Sequence, residues 1–314
     1  MKKTVFNETH IEGLLYEHKL ELKVSGEKSK NPGTEFISGN IFIATDDAGL
    51  NVIPVHFTYV TAVTKNGGPN NTFNALKRIL DGAPCVTKDG KDKAIMVRCD
   101  SAIGLNEFYS DRNGESELVS AKRNEGGFVH IVTDKLDEDE KNRATFSADM
   151  LITGTRDVEE NPDRGTPAKL ILKGYIFDFR KALLPVEFSV LNANGMKYFG
   201  NLDCSERRPV FTKVWGRQIS QTTYREVVEE SAFGDASVKM VPSSNKDFVV
   251  TGTAKVPYLW DDEDGITAIE LTEALQSREV YLATVKKNQE EWQNSRKNTS
   301  PVASVNTADG PYNF

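Results

Sequence analysis

Residues 31–60, NPGTEFISGNIFIATDDAGLNVIPVHFTYV, and residues 161–191, NPDRGTPAKLILKGYIFDFRKALLPVEFSVL, carry the same features in the same order. Asn161, Pro162, Gly165 and Thr166 answer Asn31, Pro32, Gly33 and Thr34. Gly174, Ile176 and Phe177 answer Gly39, Ile41 and Phe42, and the run Pro185 to Ser189 answers the run Pro54 to Thr58. The interval from glycine to proline is 15 residues in the first copy and 11 in the second. An even difference leaves each side chain on its original strand face. In the second copy Val186, Phe188 and Val190 alternate with Glu187 and Ser189, as a half-buried strand requires, and Val55 and Phe57 read likewise.

Outward from this pair, each copy continues through a loop rich in Asn and Gly into a short helix candidate, NNTFNALKRILDG or NANGMKYFGNL. A strand follows, KAIMVRC or PVFTKVWGRQIS, and then a last one around Phe128 or Phe248. Upstream, GLLYEHKLELKV and TFSADMLITG supply the first strand. Five strands with a helix between the third and fourth is the order of an oligonucleotide/oligosaccharide-binding barrel. The expected fold is therefore mainly β: two tandem five-stranded barrels of that kind, over residues 1–133 and 144–258, joined by an acidic linker, 134–143. Acids ahead of Ile266, Ile269, Leu271, Leu275, Tyr281 and Leu282 predict a C-terminal amphipathic helix within 259–293. Residues 294–314 read as a flexible polar tail.

The chain has 314 residues, a net charge of -7 and a mean hydropathy of -0.46, which suits a chain with a sizeable core. Five of the seven excess negative charges lie beyond residue 258, so the body is near neutral and overall acidity does not exclude a basic groove. No apolar run is long enough to span a bilayer and the N-terminus lacks a signal-peptide core, which places the expected location in a cytoplasm, without a membrane partner. Cys85, Cys99 and Cys204 have no paired spacing and read as reduced structural residues.

No catalytic constellation is legible, and an enzyme is not expected. His10, His18, His56 and His130 are scattered and lack zinc-site spacing, so neither a metal nor a cofactor is expected. Gly67 to Asn71 lacks the Lys-Ser/Thr pair of a phosphate-binding loop. Asp261 to Gly265 resembles a calcium loop only in part, because Trp260 and Leu271 stand where the first and last acids belong.

Binding remains. On the strand around residue 215 a period of two sets Phe211, Lys213, Trp215 and Arg217 on one side. Single-stranded nucleic acid is held by such a surface, bases stacking on the rings and cations tracking the phosphates. The same strand would also allow Phe211 and Trp215 to be core with the cations snorkelling past them. Further candidates in the second copy are Tyr175, Phe177 and Phe179, followed by Arg180 and Lys181, and Tyr198 with Phe199 beside Lys197. In the first they are Tyr59 with Lys65, Tyr109 with Arg112, and the pair Lys122 and Arg123.

GNIFIATDDAGLNVIPVHFTYV, AKRNEGGFVHIV, PVEFSV and FTKVWGRQIS resemble proteins of phages and prophages of Gram-positive bacteria that look like single-stranded DNA-binding proteins, over most of residues 5–290. The resemblance implies a protein that coats DNA strands exposed in phage replication or recombination, without a cofactor, RNA remaining an alternative ligand. Such proteins often end in acids closed by a phenylalanine that recruits partner enzymes. Here Phe314 is terminal but only Asp309 is acidic nearby, so recruitment through the tail is not expected. A different reading of the same features is a phage assembly protein that self-associates through its β domains as a homo-oligomer.

Overall fold

The computed structural model describes residues 5–298, apart from 28, 113–114, 162–165, 230–232, 234–236 and 261–264. Pro162 and Gly165 of the sequence repeat, the Asp261–Asp264 run and most of the expected tail thus lie outside the described residues. The chain is mainly β. The first half contains β1 (Asn7–Val24), β2 (Glu35–Ala44), β3 (Val52–Thr61), α1 (Asn71–Leu80), a short α2 (Val86–Asp89), β4 (Met96–Arg112) and β5 (Glu115–Val132). The second contains β6 (Ala144–Val158), β7 (Lys169–Phe177), β8 (Leu183–Val190), α3 (Ala193–Gly200), β9 (Val210–Glu229) and β10 (Ser237–Thr253). A long helix, α4 (Ala268–Asn298), follows.

In each half five strands close on themselves. β1 pairs antiparallel with β2 and β4, β2 with β3 and β4 with β5, and a parallel contact between β3 and β5 completes the ring. β6 to β10 repeat this pattern, with the parallel contact between β8 and β10. Alternation fills the interiors. Ile41, Val55 and Phe57 point inward in the first half with Ile11 and Leu15, and Val186, Phe188 and Val190 do so in the second. Each crossover helix is capped by asparagine: Asn70 Oδ1 accepts from the Thr72 amide at 3.1 Å, and Asn192 Oδ1 from that of Gly195 at 2.6 Å. α1 then buries Phe73, Leu76 and Ile79 at helical spacing.

β1 and β6 also pair with each other, and this joins the halves. Both carry a one-residue bulge, at Tyr16 and Thr153, opposite the next strand. Thr9 and Phe146 each stand seven residues before their bulge, and they are directly opposed. Asn7 opposes Ala148 and Ile11 opposes Ala144, so equivalent positions exchange partners about the Thr9–Phe146 rung. The halves are thus related by a local two-fold axis through that rung.

The same count corrects the residue matches read from sequence. Gly174 stands opposite the residue before the bulge, as Ile43 does, so its counterpart is Ile43 and not Gly39. The offset is four, an even number, so the alternation still agreed. Both glycines mark close strand approach, since a Cβ would lie 2.0 Å from the Lys19 carbonyl oxygen at Gly39 and 1.9 Å from that of Leu151 at Gly174. The requirement recurs at different rungs.

Beyond Ala102 and Arg217, β4 and β9 leave their rings and run on with β5 and β10 as hairpin arms. The first arm lies on the second half, where Ile103 and Leu105 join the core of Phe146, Phe188 and Phe248. The second reaches back to the first half. Asn51 forms a bridge to Gln221 and accepts from the Ser220 amide at 2.7 Å, while Asn124 Nδ2 donates to Gln218 Oε1 at 2.8 Å. α4 lies along the first arm. Arg278 forms a buried pair with Glu107, and Gln289 Oε1 accepts from the Tyr109 amide. The residues it partly covers, Leu271, Ala274, Arg278, Leu282, Val285 and Gln289, follow helical spacing, yet only some are apolar, while Ile269, Val280 and Tyr281 are exposed. The helix seam is therefore mixed rather than the apolar stripe expected.

Candidate functional site

An open groove of about 1520 Å³ crosses the two-fold junction and is walled by both halves. Its floor includes Thr9 and His10 of β1 and Thr145 to Ser147 of β6. Four aromatic side chains line it with much of their rings uncovered: Phe179 at 87%, Phe128 at 69%, Tyr59 at 46% and Trp215 at 42%. Lys141, Arg180 and Arg217 supply positive charge, and Glu8, Asp100, Glu125 and Asp139 negative charge.

Trp215 projects because it follows the outward period of β9 and meets a glycine across the rung, Gly252 of β10. A Cβ at Gly252 would lie 2.4 Å from the indole nitrogen, so the ring is seated against bare backbone. Phe128 reaches the groove after Gly126 and Gly127, both in the left-handed region, at a bulge opposite Asp100 and Ala102. Phe179 and Arg180 occupy the β7–β8 turn. Asp178 Oδ1 accepts from the amides of Arg180 and Ala182 at 2.8 Å each, which fixes the turn, and the guanidinium stands 5.0 Å from the centre of the Phe179 ring.

Tyr59, Phe179, Arg180, Trp215 and Arg217 of the sequence candidates come together here. Lys181 is exposed on the same turn. Lys213 shares the outward face of β9, but its ammonium stands 3.7 Å from the centre of the Phe6 ring and is engaged there. Phe211 and Phe177 are corrections. They are 2% and 0% exposed, 6.0 Å apart, and covered by Tyr258 and Ile266 from the segment after β10. The period of two placed Phe211 on the right face, and a later segment seals that end of it. Lys122 is a third correction: its ammonium lies 5.4 Å from the Phe188 and Phe248 ring centres and donates to the Glu187 carbonyl. Burial pushes its pKa down against the pull of Asp247 and Glu187. Arg123 is paired with Glu125 at 2.8 Å. Tyr109 is held by α4 on the first arm, Tyr198 is half-exposed on α3 and Lys65 is exposed in the β3–α1 loop; none of these lines the groove. The side chain of Arg112 lies outside the described residues.

Phe128 was absent from the candidates. Its signal was present in the Gly-Gly pair that precedes it.

Buried carboxylates at equivalent rungs brace the walls. Glu12 opposes Arg98, and Asp149 opposes Lys213. Glu12 accepts from Arg98 Nε at 2.8 Å and from the Asp137 amide at 2.6 Å, tying the β5–β6 connection to β1. Burial raises its pKa, but those bonds and the charge of Arg98 outweigh it and hold the carboxyl below 4.5. Asp149 accepts from the Phe6 amide and the Tyr258 hydroxyl at 2.9 Å each. His10, on the groove floor, stands 2.7 Å from Asp100. Among the described residues no group of three or more His, Cys, Asp or Glu side chains is arranged to hold a metal ion, and no helix is long and apolar enough to cross a membrane.

The solved structures similar to this chain include the wild-type single-stranded DNA binding protein from Thermus aquaticus, at a TM-score of 0.44 and 11% identity, covering 81% of this chain and 95% of that one. A deletion mutant of the same Thermus aquaticus protein aligns at 0.44 and 10% identity, over 82% of this chain and 97% of its own. No curated protein matches the sequence. The YorF family model matches residues 6–288, and on that match the chain belongs to the YorF family.

Proposed function

We propose that the protein binds single-stranded DNA, without strong sequence preference, in the groove across the two-fold junction, and that its two five-strand rings act as a tandem pair of oligonucleotide-binding barrels. The observation that carries this reading is the convergence of Tyr59, Phe128, Phe179 and Trp215 with Arg180, Arg217 and Lys141 in one open groove. Unpaired bases offer faces to stack on such rings, at about 1–3 kcal/mol per base, while a duplex keeps those faces covered. The strand order and the helix between the third and fourth strands support the barrel assignment. The role in view is the coating of strands exposed during phage replication or recombination.

Oligo-dT titrated across a salt series tests the reading through tryptophan emission. The Trp215→Ala variant is expected to bind about tenfold or more weakly, the effect of one lost stacking partner, with the salt dependence nearly intact. Arg217→Ala is expected to flatten the log–log salt slope by about 0.7, one phosphate contact on a single strand. Unchanged binding by both variants, or no binding at low salt by the parent, would refute the groove as a DNA site.

A further inference from the structure

The groove lies on a two-fold axis, yet its walls differ in charge. Counted from Thr9 and Phe146, Asp100 of β4 is equivalent to Trp215 of β9, and Ala102 to Arg217. At these rungs the first half sets Asp100 against Phe128 and Ala102 against Glu125. The second sets Trp215 against Gly252 and Arg217 against Val249. Each half thus brings one large ring to the same rung, on β5 in the first and on β9 in the second. The first wall adds two carboxylates, Asp100 bonded to His10 and Glu125 paired with Arg123, and the second adds the Arg217 guanidinium, with Arg180 from the second half nearby.

A single DNA strand has a direction and no two-fold symmetry. Between identical walls every bound pose would have a mate, turned about the axis, of equal energy and with the strand running the opposite way. Unequal walls remove that degeneracy, since phosphates are drawn to Arg217 and Arg180, while the first wall offers them only carboxylates that are already engaged, Asp100 by His10 and Glu125 by Arg123. Both poses keep rings to stack on, so charge separates them. We infer that the groove takes a single strand in one 5′ to 3′ direction, its phosphates along the second-half wall, with positions 102 and 217 setting that direction. This rests on the DNA-binding reading above and adds orientation to it.

Cys204 provides the test, because it is the one cysteine of the three that is not buried and it lies in the second half, off the axis. A donor dye on Cys204 and an acceptor at either the 5′ or the 3′ end of oligo-dT report which end lies nearer, read molecule by molecule. The expected result is one dominant transfer efficiency for each oligonucleotide, different for the two, with the minor orientation more than tenfold rarer. Exchanging the charge across the axis, Ala102→Arg with Arg217→Ala, is expected to reverse which end is near. Two equally populated efficiencies shared by both end labels would overturn the inference in the parent protein alone. A folded exchange variant that still binds and keeps the parental direction would overturn the assignment to these positions. Failure of the parent to bind any oligonucleotide would be recognised separately and would sink the DNA-binding reading itself.

Discussion

Gly127 shows how much a single position controls. Its φ is +99°, and a Cβ there would sit 2.0 Å from the Asp100 carbonyl oxygen. Gly127→Ala is expected to cost about 2 kcal/mol in denaturant titration, typical of strain at such a backbone position, and to weaken oligo-dT binding as Phe128 is displaced. Phe128→Ala should weaken binding without that loss of stability, which separates the two effects. At this scale the sequence was legible where a side chain's surroundings are local. Trp215 and Arg217 follow from the period of their own strand, and Arg180 from its turn. Lys122 was not legible, because the rings beneath it come from residues 188 and 248. Phe211 failed for the same reason, its cover arriving from Tyr258 and Ile266.

The elements themselves were read well, since alternation and asparagine caps act within a few residues. The order of strand, strand, strand, helix, strand, strand recurs in each half as expected. Register was not legible, because it is set by bulges and by glycines where strands approach closely. The hairpin arms were also missed, as nothing in β4 or β9 marks where the ring ends and the arm begins. The arm and α4 depend on each other through Glu107 and Arg278, both buried at their side chains. Arg278→Ala leaves the carboxylate buried and unpaired, and about 3 kcal/mol of stability should be lost. The double variant Glu107→Leu with Arg278→Leu should recover most of it, since two apolar groups leave no charge stranded. Equilibrium unfolding in urea, followed by circular dichroism, measures both.

Across the whole molecule the exchanged arms make the halves one cooperative unit. Ile103 belongs by sequence to the first half and by packing to the second. A single calorimetric transition is therefore expected, and Ile103→Ala should lower it as a whole rather than split it. Two separated transitions would contradict this. Acid should weaken the same unit. His18 and His56 are both held below 6.5, each chiefly by burial, with Lys88 or Arg123 adding to the effect and Glu17 or Glu125 opposing it. The unfolded chain then takes up these protons first. Stability is full above pH 6.5 and falls as the pH drops through the lowered folded-state values. Glu12, held below 4.5, adds a second loss at still lower pH. Urea midpoints at several pH values, with His56→Gln as a flatter control, check the sign.

A strand that opposes its own counterpart about a central rung is how two copies of one subunit meet in an isologous dimer. In such a dimer every substitution is made twice, so an acid gained on one side is gained on the other. Linking the copies in tandem ends that obligation. Asp100 and Trp215 occupy what would be one genetic position in a homodimer, and here a carboxylate and an indole stand at the two equivalent rungs of a single cleft.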